Sequence, residues 1–177
     1  ITALDNSIDN SDVITSITHD IGSSDTSYNA LSDKLLSLTI VDNDSASIKV
    51  SPTTLTFTES GVSSYGVRLG SAPLSTVTIG ITLNNTAVAS SDRSSLIFTP
   101  SNWNITKTVT ISGTDNNTDN DDVSTTISHS VTTSDANYST LSADTITLTI
   151  TDDDTLGVTL SPTTLSVIEG DTSSYTV

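Results

Sequence analysis

The sequence of 177 residues contains no cysteine and no methionine, and only five of its residues are lysine or arginine. Without cysteine, a disulfide framework, a thiolate metal site and a cysteine nucleophile are all excluded. The few basic residues stand against 21 acidic ones, and the resulting formal charge of −16 would repel nucleic acid and an anionic membrane surface. No apolar run approaches the roughly 18 residues of a membrane-spanning segment. We therefore expect neither a nucleic-acid partner nor a membrane span.

Aromatic residues are also scarce, at 4% of the chain, and together with the high charge this could indicate disorder. The pattern of the remaining residues contradicts that interpretation, because Val, Ile, Leu and Thr alternate with polar residues along the whole chain. Thr is β-branched and favours strands, whereas Asp disfavours strands and concentrates in turns. The sequence therefore predicts an all-β protein.

The sequence aligns with itself without a gap when Ser51 is placed on Ser161. The segment SPTTL occurs at 51–55 and again at 161–165, and Glu59 falls on Glu169. We predict that the chain is a window on a longer array of repeats. A second possibility, that strands from neighbouring molecules complete the partial repeats, stays open. The predicted units are the C-terminal part of one repeat at 1–45, a complete repeat at 46–155, and the N-terminal part of the next repeat at 156–177.

Period-two alternation within the complete repeat marks seven strands. Each strand places apolar residues on one face and Thr or Ser on the other, as expected of two sheets packed face to face. The predicted fold is an immunoglobulin-like, seven-stranded antiparallel β-sandwich in tandem repeats of about 110 residues. The predicted strands cover Ile48–Phe57 with a break near Pro52, Tyr65–Leu69, Val77–Leu83, Leu96–Phe98, Ile105–Ile111, Val123–Val131 and Ile146–Ile150.

Strand parity predicts that many acidic residues lie at one end of this sandwich. If successive strands run antiparallel, the odd-numbered strands all end at the same pole, which we call the C-terminal pole. Crowded carboxylates repel one another, and ligand sets made only of oxygen select hard cations, above all Ca²⁺. We therefore predict a site for two or more Ca²⁺ ions per repeat. The acidic residues placed at this pole are Glu59, Asp92, Asp115, Asp119, Asp121, Asp122, Asp152, Asp153 and Asp154.

The preceding repeat carries a matching acidic set. An Asp in an exposed turn often caps backbone N–H groups, and this explanation suffices for any one of these residues alone. The recurrence of the whole set after one repeat length favours a metal site instead. The matching residues are Asp5, Asp9, Asp12, Asp42 and Asp44.

These residues resemble the Calx-β family, which occurs in sodium–calcium exchangers and in large bacterial surface proteins. The resemblance rests on Thr58-Glu59, on Leu96–Pro100, on 115–122 and on the strand Thr147–Thr151 with the three Asp that follow it. It implies a Ca²⁺ cluster with ligands at Glu59, Asp92, Asp115, Asn116, Asp119, Asp122 and Asp152 to Asp154. The repeat adds Asn6 and Glu169 at the positions that match Asn116 and Glu59.

Asn116 and Asn120 replace acidic residues that are common in the family. The lower ligand charge predicts weak affinity, in the millimolar to submillimolar range of extracellular modules. Because Thr155–Gly157 leave almost no linker, we predict a non-enzymatic Ca²⁺-binding module that stiffens a bacterial extracellular fibre, filament or adhesin stalk. Its expected partners are adjacent repeats and homopolymer or filament contacts. The alternatives are an adhesive module that binds glycan or a partner surface, and a regulatory Ca²⁺ sensor.

Several other side chains invite a functional interpretation. Paired acids could suggest a glycosidase, but the next repeat would block a substrate at the junction. His19 and His129 are expected to be packed and hydrogen-bonded instead of catalytic. Trp103 is expected to cover the end of the sandwich opposite the acidic pole, although it could also serve as a platform for carbohydrate. Tyr28 and Tyr138 are expected to pack at a corner of the fold.

Overall fold

The computed structural model describes all residues from Ile1 to Val177. Eleven strands and two four-residue helices make up its regular structure, so the predicted all-β class is confirmed. Neither helix is long enough to cross a membrane. In chain order the elements are β1 (Val13–His19), α1 (Thr26–Asn29), β2 (Lys34–Ile40), β3 (Ile48–Ser51), β4 (Thr54–Thr58), β5 (Val62–Leu69), β6 (Val77–Leu83), β7 (Ala89–Ser91), β8 (Ser95–Phe98), β9 (Lys107–Gly113), β10 (Val123–Thr132), α2 (Ala136–Ser139) and β11 (Ile146–Thr151).

Strands β3 to β11 form a β-sandwich, as predicted. One sheet has the order β4-β11-β10-β6-β8 and the other has the order β3-β5-β9-β7. The core contains 19 buried apolar residues, and all of them lie between Ile48 and Ile150. Alternation along the strands puts these residues between the sheets, so the hydrophobic effect holds the two sheets together.

The sandwich has nine strands where the sequence predicted seven. The predicted first strand is two strands in different sheets: β3 pairs with β5, whereas β4 pairs in parallel with β11. Pro52 lies between them and has no N–H group for a strand ladder, so the break separates the two pairings. Strand β7 contains only Ala and Ser, which give no apolar alternation to detect. Ile105, predicted in a strand, is 58% exposed and precedes β9.

Strands β1 and β2 form a hairpin that repeats the pairing of β10 with β11. Val13 faces Ile40 in the first hairpin and Val123 faces Ile150 in the second, so the two registers coincide after a shift of one repeat length. No second sheet covers the first hairpin. Leu36 is therefore 47% exposed, whereas its counterpart Ile146 is fully buried.

Residues 156–177 form no strand, and their only ladder contact is an isolated bridge between Ser161 and Thr176. The apolar side chains of this segment are exposed, although the matching residues Ile48, Val50, Leu55, Tyr65 and Val67 belong to the core of the sandwich.

The predicted packing of His129 and Tyr138 agrees with the structure. The Tyr65 hydroxyl lies 3.0 Å from His129 Nε2, and His129 Nδ1 lies 2.8 Å from the Asp144 carbonyl oxygen. Tyr138 is buried, and its hydroxyl donates to the Ser71 carbonyl oxygen at 2.7 Å.

Of the other residues predicted to pack, Trp103 of the sandwich does so, whereas His19 and Tyr28 of the first hairpin do not. Trp103 is half-buried against the core, and its carbonyl accepts the Leu69 N–H. His19 and Tyr28 were expected to be packed, but both are exposed. The reason is that the first hairpin has no facing sheet.

Candidate metal centre

Three chain segments bring five carboxylates together at the C-terminal pole of the sandwich. Strands β4 and β11 are parallel neighbours, so Glu59 and Asp152 follow them at the same level, and the Glu59 N–H donates to the Thr151 carbonyl oxygen at 3.0 Å. Strand β9 ends at Gly113, whose N–H donates to the Gly61 carbonyl oxygen at 2.9 Å. We call the resulting group the distal cluster, and its members are Glu59, Asp115, Asp152, Asp153 and Asp154.

The distal cluster contains two overlapping sets of three carboxylates. In one set, oxygens of Glu59, Asp152 and Asp154 lie within 4.8 Å of one another. In the other, oxygens of Glu59, Asp115 and Asp153 meet the same limit. Glu59 belongs to both sets, so the geometry offers two adjacent cation positions with one carboxylate in common.

Asn116 holds Glu59 in place. Its backbone N–H donates to Glu59 Oε2 at 3.0 Å, and its Nδ2 lies 2.7 and 2.8 Å from the two carboxylate oxygens. The side-chain oxygen of Asn116 accepts hydrogen bonds within the loop, from the Thr118 N–H at 2.8 Å and from Asn120 Nδ2 at 3.3 Å. The Asn116 side chain therefore positions Glu59, and its predicted role as a ligand stays a prediction.

Ser60 is a site residue that the sequence analysis missed. Its hydroxyl donates to Asp115 Oδ1 at 2.7 Å, and its φ of 57° is left-handed, a conformation that favours glycine. Gly170 aligns with Ser60 when the sequence is placed on itself, and its φ is 93°. The alignment of Ser60 with this glycine was the feature of the sequence that could have indicated a left-handed turn, and hence a special role, at position 60.

Other acidic residues of the loop 115–122 fasten it to the chain that follows β11. Asp122 accepts the Asp152 N–H at 3.1 Å, and Asp119 accepts the Leu156 N–H at 3.1 Å. Asp121 is exposed and makes no hydrogen bond. Asp119 and Asp122 therefore shape the loop, and none of the three residues belongs to the two carboxylate sets of the distal cluster.

Asp92 does not belong to the distal cluster, contrary to the prediction. Strand β7 runs antiparallel to β9 and carries the chain away from the pole, so that Asp92 lies beside the middle of β9. Its backbone N–H donates to the Thr110 carbonyl oxygen, and its carboxylate accepts the Thr110 N–H at 2.8 Å. The unpredicted strand explains the wrong placement.

A proximal cluster lies at the end of the first hairpin. Five hydrogen bonds of the loop 5–10 and of the chain after β2 recur one repeat length later with the same atoms. Asn6 accepts the Ile8 N–H as Asn116 accepts that of Thr118, and Asp12 accepts the Asp42 N–H at 3.0 Å. The acidic residues of this proximal cluster are Asp5, Asp9, Asp42 and Asp44.

Both clusters contain carboxylate oxygens that have almost no solvent-accessible surface and accept no hydrogen bond. They are Oδ2 of Asp44, Oδ2 of Asp154 and Oδ1 of Asp152. Asp44 and Asp154 are separated by one repeat length. Buried polar atoms in folded proteins nearly always have a partner, so each of these oxygens needs an explanation.

Burial and mutual repulsion act on the same two residues. Partial burial raises the pKa of Asp154, and the charges of Asp152, Asp153 and Asp115 raise it further, while the Thr118 N–H opposes the change. Partial burial likewise raises the pKa of Asp44, with added repulsion from Asp42, Asp5 and Asp9.

No basic side chain neutralises either cluster. The one ion pair of the structure joins Arg93 to Asp92 at 3.3 Å, away from both clusters. Glu169, the predicted ligand of the third repeat, is exposed in the segment 156–177 and lies in no group of carboxylates. The acidic charge at the poles is therefore left without a counter-charge from the protein.

Comparison with known proteins identifies no family for the chain. Neither the models of known protein families nor the curated proteins contain a match. Among solved structures, the chain is similar to WR4, an MSP family member of C. elegans, at 11% identity and a TM-score of 0.40, covering 59% of this chain and 96% of WR4. It is also similar to SSP-19, an MSP-domain protein like family member of Caenorhabditis elegans, at 15% identity and a TM-score of 0.40, covering 58% of this chain and 96% of SSP-19.

Proposed function

We propose that this chain is a Ca²⁺-binding structural module, built from tandem Calx-β-like sandwiches, that stiffens a bacterial extracellular fibre, filament or adhesin stalk. One observation carries the proposal. Enclosed carboxylate oxygens without a hydrogen-bond partner occur at equivalent positions, Asp44 and Asp154, in both acidic clusters. A cation is the partner that such oxygens lack, because a carboxylate can only accept hydrogen bonds or bind positive charge.

The ligand chemistry of the distal cluster fits Ca²⁺. Its donors are all oxygens and several come from carboxylates, which is the set that this hard cation prefers. One ion would be held by Glu59, Asp152 and Asp154, and a second by Glu59, Asp115 and Asp153. Bound ions would neutralise the repulsion among these residues and keep the loop 115–122 close to the chain after β11.

The position of the proximal cluster supports a mechanical role. Strand β2 ends at Ile40 and β3 begins at Ile48, so the cluster occupies the short connection between the first hairpin and the sandwich. An ion bound there would restrain the angle between two consecutive units. Without the ion, repulsion among the carboxylates would favour a looser junction.

Small-angle scattering of the chain in Ca²⁺ and then in chelator tests this role. We expect a larger maximum dimension with Ca²⁺ and a narrower range of conformations, because the junction is held in one orientation. The variant Asp44→Asn with Asp154→Asn should lose this response. The variant Asp20→Asn with Asp171→Asn makes the same change in net charge at exposed acids outside the clusters and should keep it. An unchanged maximum dimension in the wild type would contradict the stiffening role.

Isothermal titration calorimetry separates the extracellular role from a sensor. A dissociation constant of about 0.1–1 mM agrees with an extracellular module, whereas about 0.1–10 µM is the range of regulatory sensors. We expect the weaker range, because Asn116 and Asn120 add no charge to the distal loop. The proposed role is structural and assigns no catalytic residue.

A further inference from the structure

The loop 5–10 forms direct hydrogen bonds with the sandwich that follows it. The Ser7 carbonyl oxygen accepts the Ala72 N–H, and the Asp9 carbonyl oxygen accepts Asn137 Nδ2 at 2.6 Å. The Asp9 carboxylate also accepts the Ala46 N–H at 2.7 Å. These contacts join the acidic pole of the first unit to the opposite pole of the sandwich.

The receiving surface, which we call the platform, consists of residues 71–74 and α2. Asp135 is only 3% exposed, and its carboxylate accepts both the Leu74 N–H and the Asn137 N–H. The buried Tyr138 hydroxyl bonds to Ser71, which is also fully buried. These hydrogen bonds connect the turn to the helix, and they place the two donors that meet the loop, the Ala72 N–H and Asn137 Nδ2, next to each other.

The loop 115–120 has the same internal hydrogen bonds as the loop 5–10. Asn117 and Asp119 stand at the positions of Ser7 and Asp9, and no hydrogen bond reaches their carbonyl oxygens. Because the contact uses carbonyl oxygens of the main chain, the change from Ser7 to Asn117 does not remove it.

We infer that the loop 5–10 and the platform are a recognition pair between consecutive units, and that the loop 115–120 presents the same surface to the platform of a further β-sandwich unit. Asn137 is the side chain that recognises the loop. The matching residue of α1 is Ser27, whose hydroxyl donor lies closer to the main chain than the side-chain amide of Asn137. The partner is thus a unit with an Asn, or a donor of similar length, at this position.

The recognition pair deepens the proposed function, and it rests on that function only where cation binding is concerned. Asp9 contacts the next unit through its carbonyl oxygen and the linker through its carboxylate. Docking therefore favours the position of the loop in which the proximal cluster is assembled, and a bound ion would hold the loop there for more of the time. The hydrogen bonds themselves need no ion, so the contact can be measured in its absence.

Amide exchange of Ala72, followed by NMR in chelator and in Ca²⁺, tests the contact in the 177-residue chain. We expect the Ala72 amide to be protected in chelator and to be protected more strongly in Ca²⁺, because the looser junction without the ion opens the contact more often. Asn137→Ala should accelerate its exchange on the order of tenfold, the effect of one lost hydrogen bond, whereas Ser27→Ala should leave it unchanged. An unprotected Ala72 amide in the wild type, or an equal effect of both variants, would overturn the inference.

An extended chain tests the loop 115–120. Inserting a second copy of residues 46–155 after Thr155 places a second platform behind the distal cluster. We expect the Ala72 amides of both copies to be protected to a similar degree. Exchange of the inserted Ala72 amide at the rate of an unstructured residue would show that the loop 115–120 does not bind this platform.

The two ideas fail in different ways. If Ca²⁺ binds but Ala72 is unprotected, the cation function stands and the recognition pair is wrong. If Ala72 is protected but no Ca²⁺ binds, the recognition pair stands and the cation function is wrong.

Discussion

Replacing Glu59 by Gln should change the stability of the protein in opposite directions with and without Ca²⁺. Glu59 has four carboxylate neighbours, whose oxygens lie within 4.8 Å of its own. At that distance each pair repels by about 0.9 kcal/mol at the dielectric constant of water, or about 3.5 kcal/mol for four pairs. Screening at 0.15 M salt roughly halves the sum, to about 2 kcal/mol.

Glu59→Gln also removes one hydrogen bond to Asn116, because the new amide group faces a donor. This loss costs about 1 kcal/mol. In chelator the variant should therefore be about 1 kcal/mol more stable than the wild type. In saturating Ca²⁺ it loses a ligand that both ion positions share. A tenfold weaker affinity for each ion costs about 1.4 kcal/mol, or about 3 kcal/mol for two ions, which leaves the variant about 2 kcal/mol less stable.

Urea unfolding in chelator and in Ca²⁺ measures both values, and Glu169→Gln is the matched control. Glu169 aligns with Glu59 in the sequence but is exposed and belongs to no group of three carboxylates, so its replacement should have little effect in either condition. A loss of stability of equal size for Glu59→Gln in both conditions would refute the reasoning. Glu59 would then act through its bonds to Asn116 alone.

Three further changes test other parts of the structure. Asp135→Ala should destabilise the sandwich by about 2–4 kcal/mol in urea unfolding, since it removes a helix cap and leaves the partly buried Leu74 N–H without an acceptor. Asp135→Asn keeps one acceptor and should cost about half as much. Equal costs for the two variants would contradict this account. Burial lowers the pKa of His129. The neutral imidazole therefore contributes stability above about pH 6.5, and this contribution is lost as the pH falls through the pKa of the folded state. His129→Gln should remove this loss of stability in acid, and a pH profile of stability identical to that of the wild type would contradict the prediction. Asp92→Asn should leave the Ca²⁺ affinity unchanged in calorimetry, whereas Asp154→Asn should lower it at least tenfold. A similar loss of affinity in both variants would show that Asp92 is a ligand after all.

The pattern of residues was sufficient for the fold class and for most of the strands. Alternation along Val77–Leu83 and Ile146–Thr151 reports a local property, since successive side chains of a strand face opposite sides. The convergence of Glu59 with Asp152–Asp154 was also predictable, because it follows from the direction in which successive strands run. The alignment of the sequence with itself pointed to the same loops.

Other features depend on contacts between distant segments, which alternation along the chain does not report. The short strand β7 forms only because β9 offers it an edge, and this pairing moves Asp92 away from the pole. The role of Asn116 was decided by the position of Glu59, which lies 57 residues earlier in the chain. The docking of the loop 5–10 joins Asp9 to Asn137 across 128 residues. Composition and periodicity carry no information about such pairings, so only the folded chain could show them.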